Sequence, residues 1–105
     1  MMAYRFLLLA MLVAVSQPCL GRTDCPVAKV LHIQLEGSKI MVYQEGGPWR
    51  TLGYLNETGT KERYSAVLAA QYAGKGIMIG YARSDYNCSA TNYGESAYIV
   101  RTFNQ

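Results

Sequence analysis

The chain has 105 residues, half of them hydrophobic, with three cysteines, one histidine and a formal net charge of +3. This length admits one small domain, and so mild a charge excludes the dense basic surface that holds nucleic acid or an anionic membrane. One histidine and no CxxC motif exclude the usual zinc ligand sets.

The chain opens on an expected secretory leader, Met1–Gly21. Arg5 supplies the positive start, Phe6–Val15 the short apolar run, and Cys19-Leu20-Gly21 a small-residue cleavage site before Arg22. Gln17-Pro18 makes a poor lipobox, which disfavours lipidation at Cys19. Cleavage leaves one domain over residues 22–105, secreted or periplasmic, with Cys25 and Cys88 as an even pair. In an exported chain such a pair reads as one disulfide. Closing so long a loop contributes about 4 kcal/mol by the chain-entropy estimate. So small a core calls for that staple, and for oligomerisation. No later stretch is apolar enough for a membrane span.

Val27–Glu36 begins the ordered pattern. Leu31, Ile33 and Leu35 alternate with His32, Gln34 and Glu36, which predicts a half-buried strand with the three aliphatics inside. Gly37-Ser38 turns the chain into a second strand over Lys39–Gln44. Glu45-Gly46-Gly47-Pro48 turns it again into a third over Trp49–Leu55, where Gly53 allows a bulge.

From Lys61 to Ala73 the period becomes helical. Tyr64, Val67, Leu68 and Tyr72 form the expected inner face, Thr58 or Thr60 the N-cap, and Gly74 the C-terminal stop. Ile77–Tyr81 is the fourth strand, Asp85–Gly94 a polar loop, and Ser96–Phe103 the fifth strand. A helix between the third and fourth of five strands is the order of an oligonucleotide/oligosaccharide-binding barrel. The expected fold is therefore mainly β with one helix, a small OB-like barrel in the order β-β-β-α-β-β. A strand-rich α+β sheet under one helix is its rival.

Nothing in the sequence assembles a catalytic constellation. His32, the one imidazole, sits mid-strand and reads as a surface or interface group. Glu36, Glu45, Glu57, Asp85 and Glu95 have no spacing that pairs two carboxylates. The chain is expected to be no enzyme and to need no cofactor or metal.

The aromatics carry more. Of nine tyrosines, eight lie past the leader, and several sit in polar company together with the single tryptophan. Sugars present apolar C–H faces fringed by hydroxyls, so flat rings beside short polar groups suit them. The candidate glycan-binding residues are Tyr43, Trp49, Arg50, Asp85, Tyr86, Asn92 and Tyr93. The aromatics would stack on a sugar ring. Asp85, Asn92 and Arg50 would bind hydroxyls or a sialic-acid carboxylate. Asn56-Glu57-Thr58 and Asn87-Cys88-Ser89 match the N-glycosylation pattern.

Trp49–Leu55 (WRTLGYL), the run KERYSAVLAAQYAGKGIMIGY, then DYNC and a last strand ending IVRTF follow in that order. The stretch Trp49–Arg101 resembles the small B-subunit-like proteins of the subtilase-cytotoxin and pertussis-like toxin group. The residues that carry the likeness are Trp49, Tyr64-Ser65, Ala69, Gly74-Lys75, Ile77–Tyr81 and Cys88. The resemblance implies an OB-fold subunit that assembles as a homo-oligomeric ring, usually a pentamer. Such a ring binds cell-surface glycans and delivers a separate catalytic A subunit. The first strand holds no counterpart of the family's sugar-binding serine motif, so no binding residue is carried over. The expected function is a secreted glycan-binding subunit. A secreted protein-binding module such as a hydrolase inhibitor is the alternative, and a small secreted hydrolase the third reading.

Overall fold

The computed structural model describes residues 21–104. Residues 1–20, which hold nearly all of the expected leader and Cys19, and residue 105 lie outside the described residues. The elements are β1 (Thr23–Asp24), β2 (Ala28–Glu36), β3 (Lys39–Gln44), β4 (Trp49–Tyr54), α1 (Thr60–Ala73), β5 (Gly76–Tyr81) and β6 (Ile99–Thr102). The protein is mainly β with one helix, and its six strands form one antiparallel sheet. This corrects the expected five-strand count. The additional strand, β1, was too short to show a period.

β5 is the hub. On one edge it pairs with β6, Ile77 opposite Thr102 and Gly80 opposite Ile99. On the other edge it pairs first with β1 and then with the start of β2, through Ala28–Ile77 and Lys29–Gly76. Cys25 continues that edge by donating its N–H to the Ile79 carbonyl at 2.9 Å, so β1 and β2 act as one edge interrupted at Pro26. With neighbours on both sides, β5 is a run of buried residues rather than an alternation. After Lys29, β2 leaves β5 and pairs with β3, which pairs with β4.

Two bulges shape the meander. Val30 pairs with Gln44 but His32 with Tyr43, so Leu31 is the extra residue of β2. Gly53 pairs with Ile40 but Thr51 with Met41, so Leu52 is the extra residue of β4, beside the expected glycine. A Cβ on Gly53 would lie 2.6 Å from Thr60 Oγ1, so the bare backbone there lets the helix start approach β4.

The bulge at Leu31 corrects the expected inner face of β2. Val30 enters the core and Ile33 packs against it, but Leu31 and Leu35 are 43% and 58% exposed. Leu31 is the bulged residue, and Leu35 lies on the part of β2 that has already left β5. The helix is corrected in two places. Thr60, Val67 and Ala70 are its buried residues, with Tyr64 against the core, while Tyr72 is 91% exposed. Its N-cap is Gly59, with no side-chain cap bond from Thr58 or Thr60. Gly74 ends it as expected, in the left-handed conformation, its cap N–H groups reaching Ala70 and Gln71.

The core unites Val30, Ile40, Val42, Leu52, Val67, Ile77, Ile79 and Tyr81 with Cys25. Cys25 and Cys88 form the expected disulfide, their Cα atoms 5.5 Å apart, and so tie the 82–98 loop to the β1 edge. A polar strut lies beneath it. Gln44 Nε2 donates to the Ala28 and Ile77 carbonyls at 3.1 and 2.9 Å, across the seam where β2 parts from β5. Its Oε1 accepts from Arg50 Nε at 3.2 Å. Among the described residues no helix is long and apolar enough to cross a membrane.

Candidate functional site

Cross-strand register builds an aromatic ladder on the outer face of the meander. His32 stands opposite Tyr43, and Tyr43 opposite Trp49, so three rings from β2, β3 and β4 lie in one row. Ring centroids are 5.7 Å apart for His32–Tyr43, 5.3 Å for Tyr43–Trp49 and 6.3 Å for His32–Trp49. His32 is exposed, and Tyr43 and Trp49 are half-buried. The row owes its order to the Leu31 bulge, which sets which residues of β2 face Tyr43 and Met41.

A shallow basin of about 380 Å³ adjoins the row, lined by Gln34, Glu36, Lys39, Met41, Trp49, Thr91 and Tyr93. Tyr93 is 72% exposed. Lys39 Nζ lies 3.8 Å from Glu36 Oε1 and donates to the Tyr93 carbonyl at 3.0 Å, so a cation and a carboxylate border the basin. A second hollow of about 300 Å³ shares Thr91 and Tyr93 with the first and adds Arg83, Asp85, Tyr86, Asn92 and Glu95. The 82–98 loop therefore supplies one bank of a surface whose other bank is the aromatic row.

The loop is held firmly against β4. Asn92 donates its N–H to the Trp49 carbonyl at 3.1 Å, and Thr51 Oγ1 donates to the Asn92 carbonyl at 2.8 Å. The Asn92 side chain is spent on its own turn. Its Oδ1 accepts from the N–H groups of Gly94 and Glu95, and its Nδ2 donates to the Glu95 carbonyl. Arg83 clamps both acids of the second hollow, with 2.8 Å contacts to Asp85 Oδ1 and Glu95 Oε1. The hydrogen bond from Arg83 holds the Asp85 carboxyl below its ordinary range.

The seven sequence-predicted residues thus divide. Tyr43 and Trp49 form the row, and Asp85, Tyr86, Asn92 and Tyr93 gather in the adjoining hollow. Tyr86 turns inward and stacks on Tyr81 at 3.8 Å with a 10° tilt. Tyr81 itself is fully buried, donates to the Thr51 carbonyl at 2.8 Å, and has its hydroxyl pKa pushed up by burial. Arg50 does not join the surface. Its neighbour Trp49 faces outward, so strand alternation sends Arg50 inward, where it is 4% exposed. His32, Gln34 and Lys39 belong to the surface although the sequence reading left them out. The signal available for them was their even spacing on one strand face together with the hairpin register.

Comparison with known proteins returns no match to a protein-family model, to a protein of described function or to a solved structure. The chemistry of the surface is therefore the guide. Among the described residues no three histidine, cysteine or acidic side chains group as metal ligands. What the surface offers is stacking area with a fringe of amide, hydroxyl, ammonium and carboxylate groups.

Proposed function

We propose that the protein is a secreted glycan-binding subunit and that the glycan lies along the aromatic row and the adjoining loop. The observation that carries this reading is the row itself: His32, Tyr43 and Trp49 side by side on a solvent-facing strand surface, with Tyr93 across the basin. Buried rings stabilise a core, whereas rings left at a polar-fringed surface are placed to stack on C–H faces. Lys39, Glu36, Gln34 and Asp85 supply directional partners for hydroxyls. In this reading Asn92 and Tyr86 shape the loop rather than touch the sugar.

The resemblance to toxin B subunits of the subtilase-cytotoxin and pertussis-like group belongs to the same proposal. Its OB-like architecture is supported by backbone bonds from Asn92 N to Trp49 O and from Ala97 N to Leu52 O. They bring the segment before β6 along β4, toward the closure a barrel needs. A homo-oligomer, with a pentamer as the expected ring, and a separate catalytic A subunit complete it. Beyond Lys29, where β2 has left β5 and Gln71 Nε2 of α1 reaches the Leu31 carbonyl, the exposed Leu31 and Leu35 suit contact between copies. Those same leucines, with Val27 just before the strand, favour the second reading, a protein-binding module such as a hydrolase inhibitor.

A glycan array probed with the wild-type protein, Trp49→Ala and Asp85→Ala tests the first reading. Wild type is expected to bind a defined subset of glycans. Loss of the Trp49 ring should weaken binding about tenfold. Asp85→Ala should weaken it without lowering the Tm. No bound glycan, together with capture of one stoichiometric protein partner, would establish the second reading instead.

A further inference from the structure

Arg50 is a buried cation whose protein partners are all neutral. Its Nε donates to Gln44 Oε1, and its Nη1 donates to the Cys88 carbonyl at 2.7 Å and lies 3.4 Å from Cys25 Sγ. A guanidinium carries five N–H donors, and the two on Nη2 meet no acceptor among the described residues. No carboxylate pairs with it either: the described ion pairs belong to Arg22, Lys39 and Arg83. Nη2 is not among the buried atoms left without a partner, so solvent reaches it, and its N–H groups are open to an entering anion.

Arg50 also forms part of the wall of a cleft of about 570 Å³, between the β3–β4 turn and the Cys88 loop. Pro26, Pro48, Gly46 and Ser89 line it with Tyr43. The cleft shares Tyr43 with the aromatic row but none of the residues that line the basin beside it. One titratable acid, Glu45, stands on its exposed rim. An entering group therefore meets a buried guanidinium at the wall and one negative charge at the mouth. A planar carboxylate carries one charge and offers two acceptor oxygens to guanidinium donors.

We propose that this cleft is a binding site for a carboxylate group, held by Arg50 at the wall, with Glu45 at the mouth weakening the hold. The group comes from a small free acid or from an acidic sugar. The site meets the aromatic row only at Tyr43, and neither requires the other.

Titration of the oxidised, 15N-labelled protein followed by NMR tests this. Sodium acetate should give saturating shifts of the Arg50 Nε–H and the Ser89 amide, which sodium chloride at equal ionic strength does not reproduce. Glucuronic acid tests the source. A response stronger than that to acetate marks an acidic sugar, and an equal one a small free acid. Glu45→Gln, at an exposed position, should tighten acetate by roughly twofold to fivefold. Ser89→Phe fills the cleft mouth from an exposed position and should abolish the acetate shifts at unchanged Tm. Non-saturating shifts identical in acetate and chloride would overturn the site. So would acetate shifts that survive Ser89→Phe. Failure of the glycan array leaves these outcomes untouched.

Discussion

At the scale of single residues, the distinction that matters is between polar side chains spent on the fold and those left to the surface. Gln44 and Asn92 carry side chains that a sugar could use, yet the backbone of this protein already holds most of their hydrogen-bonding capacity. Glu57 is a clear case. Its Oε1 accepts from Ser96 Oγ at 2.6 Å and from the Tyr54 N–H at 2.9 Å, which ties the turn before the helix to the segment leading into β6. The Ser96 bond, then the Tyr54 N–H, holds its carboxyl pKa below the ordinary value. A depressed folded-state pKa means stability present above the unfolded value of about 4.3 and lost as the pH falls through the folded one. The Tm should therefore drop on acidification below about pH 4. Glu57→Gln should remove part of that drop, as a series of thermal melts from pH 2 to 6 would show. An identical acid limb in the variant would detach Glu57 from it.

At the scale of elements, α1 shows what periodicity can and cannot decide. Its span was legible from the change of period at Lys61 and the stop at Gly74, and the structure extends it only to Thr60. Its buried face was half legible, because Tyr64 and Val67 lie inward while Tyr72, at a compatible angle, stays exposed. Val67→Ala should cost about 1–3 kcal/mol in a urea melt, and Tyr72→Ser should stay within about 0.5 kcal/mol. A large loss at Tyr72 would mean that a partner or a second copy covers that ring. β2 teaches the same lesson. Leu31, Ile33 and Leu35 alternate perfectly, but a bulge at Leu31 is invisible to a period of two, and the end of a partner strand is invisible to any local pattern. The aromatic row was legible in part. Tyr43 and Trp49 stood out by type, whereas His32 joins them only through register between three strands. The burial of Arg50 was missed for a reason within reach: neighbours on a strand face opposite ways.

At the scale of the whole molecule, a small core is closed by one covalent link. The Cys25–Cys88 bond joins the β1 edge to the loop that carries Asp85, Asn92 and Tyr93, so it fastens one bank of the candidate surface to the sheet. Replacing both cysteines by serine should lower unfolding stability by about 2–5 kcal/mol. It should also loosen the loop, which hydrogen exchange at the Asn92 and Ala97 amides would report. Unchanged protection there would place the hold on the loop in its backbone bonds to β4 alone.

The central claim is that the row of His32, Tyr43 and Trp49 receives a glycan, and the chain contains its own reporter for it, since Trp49 is the single tryptophan. The most direct measurement is a fluorescence titration of the oxidised protein with the glycans that an array selects. A saturable change in Trp49 emission, with the same midpoint as binding measured by calorimetry, is the predicted result. Glycan binding by calorimetry with no change in Trp49 emission would contradict the placement, and no binding to any glycan would contradict the function.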